Sequence, residues 1–244
     1  HQIDTLTDEK NGLSEKMNSA AEFDAQLAPR MVRDVLKGKS VVVFRTPDAA
    51  DGDVDAKARF LGQAGGTVPG KESLTQEFVA ALVDQGSQAG DLLGIALLTD
   101  KPPAAAPVDD AQRQTVLDAL RDTGFLSFDD KHVGPANTAL IVTGASLGDD
   151  AGNRGATVAR LAAGLAPHGS GAVLVGRDGS ASGAGPVAVT RSDPGLNAAV
   201  STVDDADSSA GQITAVLALG DLAGGGRPGQ YGTGRGATSV TLPQ

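Results

Sequence analysis

The chain holds 244 residues and 24.3 kDa, with 20 Lys plus Arg against 30 Asp plus Glu, a formal charge of −10. That length suits one large domain, or a domain with an appendage, and that sign repels phosphate backbones and anionic headgroups, so no nucleic-acid partner is expected. With no Cys, no Trp, one Tyr and 33 Gly, a disulfide scaffold, a thiolate metal site and a Cys nucleophile are excluded, and the core has to be built from Ala, Val, Leu and Ile.

The first element is a heptad. Ile3, Lys10 and Met17 take one seam position, and Leu6, Leu13, Ala20 and Leu27 take the other. Asp4, Asp8, Glu9, Glu15, Lys16 and Glu22 lie between them, which gives one narrow apolar stripe on a wet helix. A lone helix of this kind is marginal in water. The spacing therefore predicts a coiled coil formed by a parallel homodimer, with a helix folded back on its own domain as the alternative. Lys10 in the seam costs stability but can set register, and Gly12 weakens the helix by about 1 kcal/mol. Pro29 is expected to break or kink the helix, leaving 30–37 as a short second helix stopped by Gly38.

From Lys39 the pattern turns to short β-branched runs between Ala-rich stretches. The run 40–45 (SVVVFR) reads as a buried strand, followed by a Thr46-Pro47-Asp48 turn and a helix near 54–64 that Gly65-Gly66 ends. The stretches 73–81 and 91–98 read as helical, 101–107 (KPPAAAP) as a loop, and 111–122 as an amphipathic helix capped by Gly124. The remaining strand candidates are 139–143 (ALIVT), 172–175 (AVLV), 187–190 (VAVT) and 213–219 (ITAVLAL), with 157–165 as a crossover helix between the first two. Uninterrupted apolar strands alternating with helices imply an α/β fold: a mainly parallel, Rossmann-like sheet with helices on both faces, preceded by the coiled-coil helix. The expected organisation is a stalk over 1–28, an α/β domain over 29–223, and a Gly-rich flexible tail over 224–244 whose order would need external contacts. No apolar run reaches the roughly 20 residues of a bilayer span, and no signal peptide is visible. Opening at His1 in a helical pattern, the chain reads as a soluble fragment of a longer protein.

Several motifs invite chemistry. Gly144-Ala145-Ser146-Leu147-Gly148 matches the G-x-S-x-G nucleophile elbow after a strand, but a loop, 149–153, follows where a helix should start. Its base could be only His1, His132 or His168. The run 65–71 (GGTVPGK) fits a phosphate loop except that Glu72 stands where a magnesium-binding hydroxyl belongs, and it follows a helix. Gly232-Thr233-Gly234-Arg235-Gly236 resembles a dinucleotide fingerprint in glycine content alone. Asp48, Asp51, Asp53 and Asp55 lack the Gly and Glu of a calcium loop. The acid pairs at 109–110, 129–130, 149–150 and 204–205 lack the aromatic platforms of a sugar site in a chain with six Phe and one Tyr. Copper favours Cys, Met and clustered His, and two Met and three scattered His make a poor carrier. The residues thus point to no enzyme, cofactor or metal site.

The segments 38–49 (GKSVVVFRTPDA), 82–98 (LVDQGSQAGDLLGIALL), 169–181 (GSGAVLVGRDGSA), 201–205 (STVDD) and 231–237 (YGTGRGA) resemble the actinobacterial MctB family, labelled mycobacterial copper transport protein B, whose corynebacterial member is SteB. The resemblance covers nearly the whole chain. It implies a single-pass envelope protein with one N-terminal transmembrane helix absent here, and an extracytoplasmic coiled coil and α/β domain. It also implies a missing stretch between Ala81 and Leu82. Two functions attach to the resemblance. One is copper efflux across the outer membrane. The other is cell separation, in which SteB pairs with the membrane protein SteA and promotes septal peptidoglycan hydrolysis by an NlpC/P60-type enzyme. A pore needs a closed barrel or several spans, so the reading that follows from this sequence is the second: a non-enzymatic regulator whose dimer and partner surface is Ile3, Leu6, Lys10, Leu13, Met17, Ala20 and Leu27.

Overall fold

The computed structural model describes residues 2–99, 109–128 and 133–242. The loop expected at 101–107, the acids at 129–130, His1 and His132 lie outside the described residues. Helix α1 (Gln2–Met31) is the first element. Its side chains are exposed as far as Gln26, and burial begins with Leu27 and Ala28. Only its last turns touch the rest of the protein, mainly α9 (Ser209–Ala223), so the folded-back alternative is not the arrangement adopted. Pro29 sits inside α1 and does not break it. In the last turn its missing N–H costs one hydrogen bond, and Val32 still donates to the Ala28 carbonyl at 3.2 Å. The second helix expected at 30–37 does not form. The Leu36 N–H goes to the Ala64 carbonyl at 2.9 Å, Asp34 turns to φ 63 and Gly38 to φ 73, and Val32 and Leu36 enter the core.

The head is one sheet with helices on both faces. In chain order its elements are β1 (Val41–Arg45), α2 (Asp51–Gln63), β2 (Lys71–Leu74), α3 (Gln76–Val79), α4 (Val83–Leu97), α5 (Asp110–Asp122), β3 (Leu126–Phe128), β4 (Thr138–Val142), α6 (Arg154–Leu165), β5 (Gly171–Val175), α7 (Pro186–Ser192), α8 (Pro194–Ala199), β6 (Ser201–Val203), α9 and β7 (Gln230–Tyr231). The strands lie in the order β3-β2-β1-β4-β5-β6-β7. All pair in parallel except β3, which runs antiparallel to β2. Alternation along β1 sends Val42 and Phe44 to one core with α4 and α6, and Val41 and Val43 to the other with α2, α9 and the foot of α1. The expected α/β class and its mainly parallel sheet are thus found.

Two expected strands are helices. The run 213–219 lies in α9, which is apolar and buried on most sides, and a short apolar run does not separate a buried strand from a buried helix. The cap does: the Ser208 hydroxyl accepts from the Gly211 N–H at 3.0 Å. The run 187–190 lies in α7, opened by Pro186 at its first turn.

Helices α4 and α6 pack backbone to backbone through Gly86, Gly90 and Gly164. A Cβ on Gly86 would fall 2.4 Å from the Thr157 carbonyl oxygen, and one on Gly90 the same distance from that of Leu161. Ala-rich surroundings and missing aromatics are compensated here by closer approach.

Within the tail expected over 224–244, the described residues make contacts with the domain. Gln230 and Tyr231 add an edge strand to β6, and the chain then folds over Asp204, whose carboxylate accepts from the Thr233 N–H at 3.0 Å and the Gly234 N–H at 2.8 Å. Arg191 binds the same carboxylate at 2.6 Å and donates to the Tyr231 and Arg235 carbonyls. The contacts that order this Gly-rich segment come from the chain itself.

Candidate functional site

The stalk is the first candidate. Ile3, Leu6, Leu13 and Met17 are 79, 65, 61 and 64% exposed, although fully covering each side chain would stabilise the protein by about 1.5–3 kcal/mol relative to leaving it in water. At 1.5 Å per residue roughly 35–40 Å of α1 stands clear of the head. Lys10 and Ala20 are exposed on the same helix, and Leu27 is half-covered where the helix meets the head. Phe23 and Met31 are also exposed and were not among the expected seam residues. The signal for Met31 was present: it stands fourteen residues after Met17, on the same heptad position, and was hidden by the break assigned to Pro29.

The second candidate is the carboxyl edge of the sheet. Leaving β3 aside, the six parallel strands run in a 2-1-3-4-5-6 order, whose switch point lies between β1 and β4. The loops beyond them carry Thr46, Asp48 and Gly144. A cavity of about 60 Å³ lies there, lined by Thr46, Asp48, Leu147, Arg154 and Pro186 among others. The chain's own loops fill most of this crevice. A Cβ on Gly144 would meet Asp48 Oδ2 at 2.6 Å, one on Gly183 the Leu147 carbonyl at 2.5 Å, and one on Gly155 the Ala184 carbonyl at 2.0 Å. Ser146 donates to the Ser182 carbonyl at 2.9 Å. His168 lies just before β5, at the opposite edge of the sheet, with Nε2 2.6 Å from Asp91 Oδ1. The structure therefore does not bring Ser146 and His168 together.

The other motifs are explained by local structure. The run 65–71 leads from α2 into β2, the reverse of a phosphate loop, with Gly65 at φ 84 and the Gly70 carbonyl accepting from Val43. The four acids at 48–55 go to separate partners: Asp48 to Thr46, Asp51 to Arg45, Asp53 to Arg177 and Asp55 to Lys71. Asp109 caps α5 by accepting from the Gln112 N–H at 2.8 Å, and Asp110 pairs with Arg113. Among the described residues no group of three or more His, Asp or Glu converges on one point, and no helix is long and apolar enough to cross a membrane.

A charged cluster on the α2 side was not foreseen. Lys57 is buried and donates to the Ala206 carbonyl at 2.7 Å. Burial pushes its ammonium below the ordinary Lys value, against the opposing pull of Asp53 and Asp207. Arg177 stands between those two carboxylates, 3.4 Å from Asp53 and 3.8 Å from Asp207. Asp205 beside them is pushed up by burial and then by Asp204. The cluster ties α2 to the β6–α9 loop.

Comparison with known proteins adds what geometry alone does not. A family model described as "Copper transport outer membrane protein, MctB" matches residues 1–242. The copper transporter MctB of Mycobacterium tuberculosis is 53% identical over 268 residues, covering all of this chain and 85% of the relative. The protein of the same name from Mycobacterium leprae is 56% identical over 250 residues, covering 91% of this chain and 79% of the relative.

Proposed function

The chain belongs to the MctB family, and from that premise we propose that it serves copper transport in the cell envelope as a dimeric scaffold acting by contact and not by turnover. The process is taken from the names of its relatives. The mode is taken from one observation, the exposed row Ile3, Leu6, Leu13 and Met17 on a helix that leaves the head. Two such helices in parallel bury both rows, with Ala20 and Leu27 continuing the seam towards the heads. Copper is then cargo that passes by way of partners. No Cys, two Met and three His in the whole chain supply few soft donors for carrying it on these side chains.

The same exposed row favours a second reading, regulation of cell separation, in which the paired stalks meet a SteA-type membrane protein and thereby act on an NlpC/P60-type hydrolase. Both readings place the chain outside the cytoplasm. One strain separates them. Cells whose copy carries Leu6→Asp with Leu13→Asp should accumulate copper and lose growth on copper-rich medium while separating normally. Chained cells with normal copper content would replace the first reading by the second, and normal behaviour in both assays would remove the stalk from either role.

A further inference from the structure

The segment Gly232-Thr233-Gly234-Arg235-Gly236 is not used by either reading. Its glycines serve close packing. A Cβ on Gly232 would fall 2.2 Å from Asp204 Oδ1, one on Gly234 2.5 Å from the Ala181 side chain, and one on Gly236 3.1 Å from the stem of Arg191. The carbonyl of Arg235 is held by Arg191 Nη1 at 3.0 Å. Its own guanidinium makes no hydrogen bond or ion pair among the described residues and is exposed.

Arg235 borders a hollow of about 390 Å³ formed with Ala181, Ser182, Gly183, Arg191 and Ser192. It lies where the loop after β5, helix α7 and the turn after β7 meet, on the carboxyl side of the parallel strands, where open α/β sheets take ligands. The hollow is larger than the 60 Å³ left at the switch point. Its lining holds two guanidinium groups and no carboxylate. Arg191 is committed to Asp204, Thr202 and two carbonyls, so Arg235 carries the free charge. The Ser182 and Ser192 hydroxyls give their protons to the Gly179 and Ala188 carbonyls at 2.9 and 3.0 Å. They therefore turn lone pairs outward.

We propose that this hollow binds a small acid, its carboxylate or phosphate gripped by Arg235 and its hydroxyl or amide protons received by Ser182 and Ser192. The site is independent of whether the stalks pair. Its test is titration of the isotope-labelled chain with glucuronate, inorganic phosphate and glucose, read from the amide signals of 181–183 and 235–236. At least one acid should saturate with a Kd below about 1 mM at physiological salt. Arg235→Gln should weaken that binding at least tenfold while leaving the other amide signals in place, and uncharged glucose should produce no saturable shift. Saturation by glucuronate alone identifies a carboxylate ligand and by phosphate alone a phosphate ligand. The proposal is overturned if neither acid saturates, or if Arg235→Gln binds as well as the parent.

Discussion

Arg191 and Asp204 meet 2.6 Å apart with both side chains almost wholly buried, and the pair is the post around which the C-terminal segment is wound. A buried charge is tolerated when its partner and its remaining hydrogen bonds are supplied together. Here Thr233 and Gly234 supply two N–H groups and Arg191 the cation. Removing one partner strands the other. Asp204→Ala should lower unfolding stability by about 3–5 kcal/mol in urea titrations, and should raise hydrogen exchange at 230–236 more than at β4 or β5. A loss under about 1 kcal/mol with unchanged exchange would mean that the tail is held by β7 pairing alone.

Glycine-to-alanine changes should have opposite signs at two places. Gly90→Ala inserts a methyl 2.4 Å from the backbone oxygen of Leu161, an atom that cannot swing away. Overpacking there should cost about 1–3 kcal/mol and exceed the gain of about 1 kcal/mol that alanine brings to a helix. Gly12, in the exposed stalk, has nothing within 4 Å of the same methyl, so Gly12→Ala should stabilise by about 1 kcal/mol. Thermal unfolding of the two variants checks both signs.

Lys57 should give stability a rising slope on the alkaline side. Its folded pKa lies below its ordinary 10.5, so the unfolded chain binds the proton more readily over that window. Stability therefore rises as pH climbs from the lowered value towards 10.5 and the burial penalty on the ammonium disappears. Lys57→Met removes the titration, so that slope should flatten in unfolding measurements taken from neutral pH upward. An identical slope in the variant would contradict this assignment.

Much of the architecture was legible because strands β1, β4 and β5 are continuous apolar runs and α2, α5 and α6 carry clear stops or amphipathic spacing. Strands β2, β3, β6 and β7 were missed because two to four residues are too short to show a period. The contacts of the tail were not legible because Asp204 and Arg191 are remote in sequence and become its partners only after folding. The same holds for Arg235, whose significance depends on what does not pair with it. Helix α1 needed no tertiary information, since a heptad is local, and only its continuation to Met31 was lost to the proline rule.

Dimerisation is the claim on which the functional reading rests, and the mass of the chain in solution measures it directly. Sedimentation equilibrium at micromolar concentration should return twice the 24.3 kDa of one chain and fall to one chain mass in the Leu6→Asp, Leu13→Asp variant with its head still folded. A parent chain that sediments as a monomer at every concentration tested, or a double variant that keeps the doubled mass, would contradict the account.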